Sequence, residues 1–497
     1  MFDTIIHAIS ELGYWAVLSA LGGLVLGVIV GAVPGLTASI AVAILLPLTF
    51  FLPATVGIGF LLGVYKGAVY AGSIPAILIN TPGTPAAAAT AMDGFAMTQQ
   101  GKAKKALHMA LFSSLFGDLF ATIVLLSVAA PLAAIAIQFS APEYAVLFLA
   151  SLVLIATVSA GDSLKGVLSA IAGALVGCIG LDSLTVAQRF VFDVPELLGG
   201  VPLVPLIVGM FALSEVLIQI TSPLSEASAQ ISRTVGPPLQ RKEALKCLPT
   251  LFRSTSIGTF IGALPGLGAE IACWVAYGIA KQRSKNPQEF GKGSLEGIAA
   301  AESGANATVP ATLIPMLIFG IPGDVVTAVL IGAFIAQGVT PGPLLFTNHA
   351  SLVYGLFALL VFTNIALIFV GLLSIRSFSW VVRIPSSVMM PAVVVIAVAG
   401  AYSIGSDPYD VVIMLIGGVL GYAMRINGVP IPPFIIAVLL APQFEKMLRQ
   451  SLSLSNGDFT IFVSRPISAS LLAGFVLFIL LLVGKAAWSK RRAALPL

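Results

Sequence analysis

The sequence predicts an all-α, polytopic membrane protein made of two inverted-topology repeats, with helices or hairpins broken at Pro-Gly pairs. Three observations lead there. The chain is 58% hydrophobic and only 9% charged over 497 residues, against roughly a quarter charged in ordinary soluble domains. Runs such as Ala121–Ile137, Val146–Ala160 and Ile467–Gly484 are apolar and free of charge; each is near the roughly 17–25 residues that span a bilayer as a helix, and none shows the alternation of a barrel strand. Third, one unusual segment occurs twice. Gly27 to Thr37 reads GVIVGAVPGLT and Gly258 to Gly268 reads GTFIGALPGLG; Ile74 to Gly83 (IPAILINTPG) is answered by Ile314 to Gly323 (IPMLIFGIPG), and Gly200-Val201-Pro202-Leu203 by Gly428-Val429-Pro430-Ile431. Duplication with Pro-Gly breaks inside apolar segments is the pattern of a secondary transporter.

Taken in order, each P-G-L segment starts and ends on one side and is expected to be a helical hairpin, re-entrant or spanning. Crossings follow at about 56–97, 106–135, 145–160, 166–180 and 200–220, and again at about 297–337, 350–374, 386–402, 408–425 and 430–443. A last helix at 466–486 brings the total to about eleven crossings plus two hairpins. Segments 56–97 and 297–337 are too long for simple spans and contain Pro-Gly, so they are expected to be broken helices. Residues 1–220 form the first repeat, 221–253 a cytoplasmic linker, 254–445 the second repeat, and 446–497 an outward loop, the last helix and a tail.

Orientation comes from basic residues, which mark cytoplasmic loops. They cluster at Lys102/Lys104/Lys105, Arg233–Arg253, Lys281–Lys292, Arg376/Arg383 and Lys490–Arg492. The loop after the first hairpin, Phe50–Thr55, is uncharged, whereas its counterpart from Lys281 is basic. After the second block the order reverses: Gln99–Lys105 is basic, and Gln337–Ala350 has no Lys or Arg. Equivalent loops are therefore expected on opposite sides, with the N-terminus outside and the C-terminus in the cytoplasm. Met1–Gly13 carries Asp3 and Glu11 and no Lys or Arg, unlike the basic start of a cleaved signal peptide. The formal charge of +4 reflects such loops and does not point to nucleic acid.

Proline removes a backbone donor and glycine permits unwinding, and broken backbone at membrane depth is tolerated only inside protein or beside a wet cavity. Half-helix N-termini suit an anion; unwound carbonyls suit a cation. Pro34-Gly35, Pro82-Gly83, Pro265-Gly266 and Pro322-Gly323 make four repeat-related breaks. Small polar residues cluster with them: Thr37, Ser39, Ser73, Asn80, Thr81, Thr84, Ser303, Asn306 and Thr308. The four breaks, Gly320 and these polar residues, Ser39 aside, form the expected substrate- and ion-binding set. For any single Ser or Thr, bonding back to its own helix is the competing role. Glu302, Asp324, Glu270, Asp118 and Lys66 are the ionisable residues near membrane segments, where such groups are costly and functional by default; Glu270 and Lys66 could instead snorkel to an interface.

Nothing in the sequence indicates catalysis, a metal or a resident cofactor. His7, His108 and His349 pair with no nucleophile, Cys178, Cys247 and Cys273 lack metal-ligand spacing, and there is no phosphate-binding loop of the G-x-x-x-x-G-K-[ST] type. Energy for uphill movement would come from an ion gradient or another subunit.

The blocks G-x-x-x-G-A-x-P-G-L, SIPAILINTPGTPAAAATAMDG and AESGANA…LIPMLIFGIPG, with Glu445–Leu452 and Arg465–Ser468 near the end, resemble the large membrane subunit of the tripartite tricarboxylate transporters, the TctA family. The resemblance runs from about Gly22 to Ser468. Many members carry adjacent asparagines where this chain has Ala305-Asn306, which leaves Asn306 to supply any amide role. The resemblance implies inner-membrane import of a small di- or tricarboxylate-type anion by alternating access, driven by sodium or protons. It also implies two partners, a periplasmic solute-binding protein and a small multi-span membrane subunit. The mixed-charge loops at about 181–199 and 445–465 are candidate docking points, through Arg449 and Arg465 among others. A channel is one rival; an intramembrane enzyme using Glu302, Asp324 and Asp118 is another, although Asp324 aligns with Thr84 and Glu302 has no acidic equivalent.

Overall fold

The computed structural model describes residues 10, 12–158, 163–221, 236–381 and 386–493. Residues 222–235 of the expected linker, with Arg233, as well as Arg383, Asp3, His7 and Glu11, lie outside the described residues, as do the side chains of Lys490–Arg492.

Helix α1 (Tyr14–Gly31) is turned back at Pro34-Gly35 into α2 (Ala38–Leu45). Gly35 stands at φ 88°, which only glycine adopts freely, and Thr37 Oγ1 caps α2 by accepting from the Ile40 amide at 3.4 Å. Next come α3 (Ala54–Ala71) and α4 (Ser73–Ile79), consecutive at Gly72. After Pro82-Gly83 a short 3-10 turn, Pro85–Ala87, leads into α5 (Ala88–Gln99). The first half continues as α6 (Ala103–Ala136), α7 (Ala141–Val158) and α8 (Ser163–Gly177), a two-stranded hairpin pairing Gly180 with Arg189, α9 (Leu203–Val208), a π turn and α10 (Ser214–Thr221).

After α11 (Arg241–Lys246) the same order returns: α12 (Leu248–Gly262) and α13 (Gly268–Arg283) flank the second P-G-L turn. Then α14 (Leu295–Ala311) and α15 (Leu313–Phe319) run to the fourth break, and α16 (Val325–Ala336) follows it. Short α17 (Leu345–Asn348) precedes α18 (Ala350–Val381), α19 (Ser386–Gly405), α20 (Pro408–Ile426) and α21 (Ile431–Leu454). The chain closes with α22 (Ile461–Ser464) and α23 (Pro466–Ala493). Seven described helical segments are long and apolar enough to cross a membrane, joined by shorter apolar helices. The protein is an all-α, multi-pass membrane protein.

Small residues let the inner helices touch. A Cβ at Gly27 of α1 would lie 2.3 Å from the Val64 carbonyl oxygen of α3, and one at Gly258 of α12 would lie 2.2 Å from that of Gly304 on α14. Backbones this close gain packing where lipid offers no hydrophobic drive. The outer helices cross over: α6 lies along α14, and α18 lies against α1 and α3. Likewise α7 and α8 pack on α21, and α20 packs on the α9–α10 segment, where Arg425 meets Glu215 at 2.6 Å. Each half thus buttresses the other.

The loops sort by charge. Lys105 pairs with Glu243 at 2.6 Å and Gln100 Nε2 donates to the Lys292 carbonyl at 2.8 Å, joining three basic loops. The uncharged loop after α2 meets the end of α16 instead, with Gln337 Nε2 donating to the carbonyls of Thr49 at 2.8 Å and Leu52 at 3.1 Å.

One boundary differs from the sequence reading. The expected outward loop from 446 begins as helix, since α21 runs to Leu454. Glu445 and Arg449, one turn apart, stabilise that extension at 3.2 Å, and both bond to the hairpin between α8 and α9. Arg449 reaches Asp182 at 2.5 Å, Arg189 also pairs with Asp182, and Arg465 meets Glu143 at 2.7 Å. The arginines expected to dock a partner are committed to ties within the chain.

Candidate functional site

The four Pro-Gly breaks converge. Around a cavity of about 110 Å³ lie Thr37, Ala38 and Ser39 from the first break, Thr84, Pro85 and Ala86 from the second, Gly266–Ile271 from the third, and Asp324–Val326 from the fourth, with Tyr65, Val69 and Pro432 completing the lining. Every break presents the start of a helical element to this space: α2, the turn into α5, α13 and α16. Unpaired N–H groups at helix starts carry partial positive charge, so four converging starts favour an anion.

Local chemistry fixes these walls. Gly266 stands at φ 80° and its amide donates to the Gly323 carbonyl at 2.7 Å, tying the third break to the fourth. In the first half, the Gly83 amide donates to the Gly72 carbonyl at 3.1 Å, and a Cβ at Gly83 would meet the Gly31 carbonyl at 2.3 Å. Asn80 and Gly320, both left-handed, terminate α4 and α15 in the same way, with the Thr81 amide reaching the Pro75 carbonyl and the Ile321 amide the Pro315 carbonyl.

Repeat register sharpens the cavity's chemistry. The P-G-L alignment sets Ser39 opposite Glu270, and the I-P alignment sets Thr84 opposite Asp324. The first half therefore lines the cavity with hydroxyls and the second with carboxylates. Asp324 caps α16, its Oδ1 accepting from the Thr327 amide at 2.8 Å, while Oδ2 accepts from the Tyr65 hydroxyl at 2.6 Å. Glu270 is exposed where the cavity opens. Thr84 is 5% exposed and its hydroxyl has no protein partner; a buried hydroxyl so placed is available to a ligand.

Of the residues expected from sequence, Thr37, Thr84 and Gly266 line the cavity. Pro34, Gly35, Pro82, Gly83, Pro265, Pro322 and Gly323 shape the breaks behind it, while Asn80, Thr81 and Gly320 lie past the ends of α4 and α15. The hydroxyls of Ser73 and Thr308 bond back to the carbonyls of Tyr70 and Ala305 at 2.8 and 2.7 Å. Ser303 is fully buried, its hydroxyl without a partner.

Asn306 belongs to a separate cluster. Its Nδ2 lies 2.9 Å from Ser114 Oγ and 3.0 Å from the Glu302 carbonyl, and Thr90 donates to Glu302 Oε1 at 2.5 Å. The I-P alignment puts Lys66 opposite Asn306, and Lys66 is fully buried in an ion pair of 2.9 Å with Asp118. It also donates to the Leu360 carbonyl at 2.8 Å and Thr363 Oγ1 at 3.1 Å, so it is an internal tie and does not snorkel. Tyr65 was absent from the sequence-derived set; a phenol in mid-helix beside Lys66 was its only signal.

Apolar helices long enough to cross a membrane thus surround a cavity made by broken, duplicated segments. The family comparison agrees: residues 17–436 match the tripartite tricarboxylate transporter TctA family, and the chain belongs to that family. It is 37% identical over 451 residues, 91% of this chain and 90% of the relative, to an uncharacterized 52.8 kDa protein in the TAR-I ttuC' 3' region of Agrobacterium vitis. A second protein of that organism, from the TAR-II ttuC' 3' region, is 40% identical over 227 residues, covering 46% of this chain and 94% of the relative. No solved structure matches the chain.

Proposed function

We propose that the chain is the large inner-membrane subunit of a tripartite importer, moving a small di- or tricarboxylate-type anion by cation-coupled alternating access. The observation that carries this reading is the convergence of four helix starts and the unpartnered Thr84 hydroxyl on one cavity. The starts and hydroxyls suit a carboxylate. Glu270 and Asp324 in the same walls would repel a lone anion, so the cavity favours an anion arriving with its cation, sodium or proton. The enzyme alternative finds no support in Asp324, whose carboxylate is used in capping α16 and holding Tyr65.

The inverted arrangement, with the N-terminus outside and the C-terminus inside, is supported by the way basic and uncharged loops meet in separate groups. A periplasmic binding protein would deliver the anion, and a small multi-span subunit would complete the complex. The test is uptake of radiolabelled di- and tricarboxylates by cells holding all three subunits or this chain alone. The three together should accumulate one of them and the chain alone none; robust concentrative uptake by the chain alone would refute the partner requirement. Cysteines at positions 285 and 347 should label from opposite sides, and labelling from one side would refute the inverted topology.

A further inference from the structure

Glu302 is 2% exposed at the junction of α14, α5 and α6, where its neighbours are hydroxyls and an amide. Ser114 Oγ has three polar neighbours: the Ala110 carbonyl oxygen at 2.8 Å, Asn306 Nδ2 at 2.9 Å and Glu302 Oε2 at 3.0 Å. A serine hydroxyl has one proton and two lone pairs. The Ala110 carbonyl can only accept and is the nearer of the two oxygens within reach of that proton; the Asn306 amide can only donate, filling one lone pair of Ser114 Oγ and also reaching Glu302 Oε2 at 3.3 Å. With the serine proton on the Ala110 carbonyl, the remaining lone pair faces Glu302 Oε2, and that contact is then a hydrogen bond only if Oε2 carries a proton. An ionised Glu302 would make Ser114 give up the Ala110 carbonyl, or would set two proton-free oxygens 3.0 Å apart. Oε1, the carbonyl oxygen of the acid, accepts from Thr90 at 2.5 Å.

The surrounding charges fit a neutral acid. Among the described residues no lysine or arginine nitrogen forms an ion pair with Glu302. Lys66 on α3 is taken by Asp118 of α6. Asp93 on α5 is taken by the amides of Gly291, Gly293 and Ser294 and by the Tyr277 hydroxyl of α13. On α12, Arg253 makes no ion pair with it, and neither do Lys104, Lys105 and His108 at the start of α6 nor Lys281 and Arg283 at the end of α13; Tyr65 and Tyr70 on α3 and Cys273 and Glu270 on α13 bring no positive charge. Glu302 also lies near the cavity. Thr90, in the first turn of α5, follows cavity-lining Ala86 of the preceding 3-10 turn by four residues, and Cys273 follows Glu270 by one turn of α13. Ala86, Ala89, Ala269, Cys273, Ala301 and Ala305 form one apolar cluster between the two sites.

We infer that Glu302 is a proton-binding site, donating its proton from Oε2 to Ser114 Oγ, and that release and return of this proton couples transport to a pH gradient. Loss of the proton turns the Ser114 hydroxyl from Ala110 toward the carboxylate, changing the bonds that join α6 to α14. The coupling rests on the proposed transport function; the protonation does not.

Infrared titration of the purified full-length chain in lipid nanodiscs reads the protonation. The wild type should show a carboxylic-acid C=O band at neutral pH that disappears in Glu302→Gln and persists in Asp118→Asn. Thr90→Val, which removes a donor to that carbonyl, should shift the band to higher frequency, so the assignment survives if Glu302→Gln fails to fold. A wild-type spectrum without the band, or a band untouched by either substitution, overturns the proposal. In liposomes holding all three subunits and offered radiolabelled citrate, succinate and malate, Glu302→Gln should exchange carboxylate yet lose accumulation under an acid-outside gradient. Accumulation by Glu302→Gln equal to the wild type overturns the coupling, whereas no uptake by the wild type under any gradient speaks against the transport reading alone and leaves the infrared result in force.

Discussion

Lys66 and Asn306 hold the same register in the two halves, near the middle of α3 and of α14. In the first half a buried lysine is neutralised by Asp118 on α6 and tied to α18. In the second half the position is an amide, and the acid beside it, Glu302, has hydroxyl and amide neighbours and no cation. The cavity walls differ in the same sense, hydroxyls from one half and carboxylates from the other. Duplication supplied the geometry twice; divergence closed one half electrostatically and left the other able to take up positive charge.

The comparison breaks most severely at Lys66. Lys66→Met strands Asp118 as a buried unpaired charge, and removing one partner of a buried pair typically costs about 3–5 kcal/mol. Thermal unfolding in detergent should show the variant collapsing well below the wild type, with Lys66→Met/Asp118→Leu recovering most of the loss. Equal melting of Lys66→Met and wild type would mean that the pair is not a structural tie.

Next comes the break itself. Gly83→Ala drives a Cβ into the Gly31 carbonyl, and overpacking of this kind costs about 1–3 kcal/mol; melting temperature should fall and uptake with it. At the unpartnered hydroxyl the expectation is the reverse, because Thr84→Val keeps shape and removes a ligand contact. Its melting should match the wild type, while the apparent affinity for carboxylate weakens by roughly five- to thirty-fold, equivalent to about 1–2 kcal/mol. Unchanged uptake kinetics would remove Thr84 from the site.

The smallest effect lies in the hairpin between α8 and α9. The amides of Thr185 and Leu184, the Thr185 hydroxyl and Arg449 hold the Asp182 carboxyl well below the usual carboxylate range. A depressed value contributes stability above the unfolded pKa, about 3.9, and loses it only as pH falls through the folded value. Protease resistance of this hairpin should therefore be the same at pH 7 and pH 5, and Asp182→Asn should weaken it slightly at both.

The sequence made the architecture legible because duplication and Pro-Gly punctuation are properties of the chain itself. The breaks, their order and the length of α3–α5 and α14–α16 follow from GAVPGLT, INTPG and their partners. The composition of the cavity was less legible. Thr37, Thr84 and Gly266 could be found beside the breaks, but Tyr65 enters from mid-helix and only the crossing of α3 with the start of α16 brings it to Asp324. Asn306 is separated from the cavity for the same reason: its face of α14 meets α6, a contact between halves that no local pattern encodes. The ion pairs of the arginines at 449 and 465 were not legible either, because their partners, Asp182 and Glu143, are distant in sequence.

The central claim is that the cavity at the four breaks holds the transported anion. In the complete three-subunit system on a cysteine-free background, cysteine at Ser39 should react with a small thiol reagent. A saturating concentration of whichever di- or tricarboxylate the wild type accumulates should slow that reaction several-fold, while cysteine at Thr347 should be indifferent to it. A position-39 cysteine that reacts at the same rate with and without the transported carboxylate, in a variant that still transports, would place the substrate elsewhere.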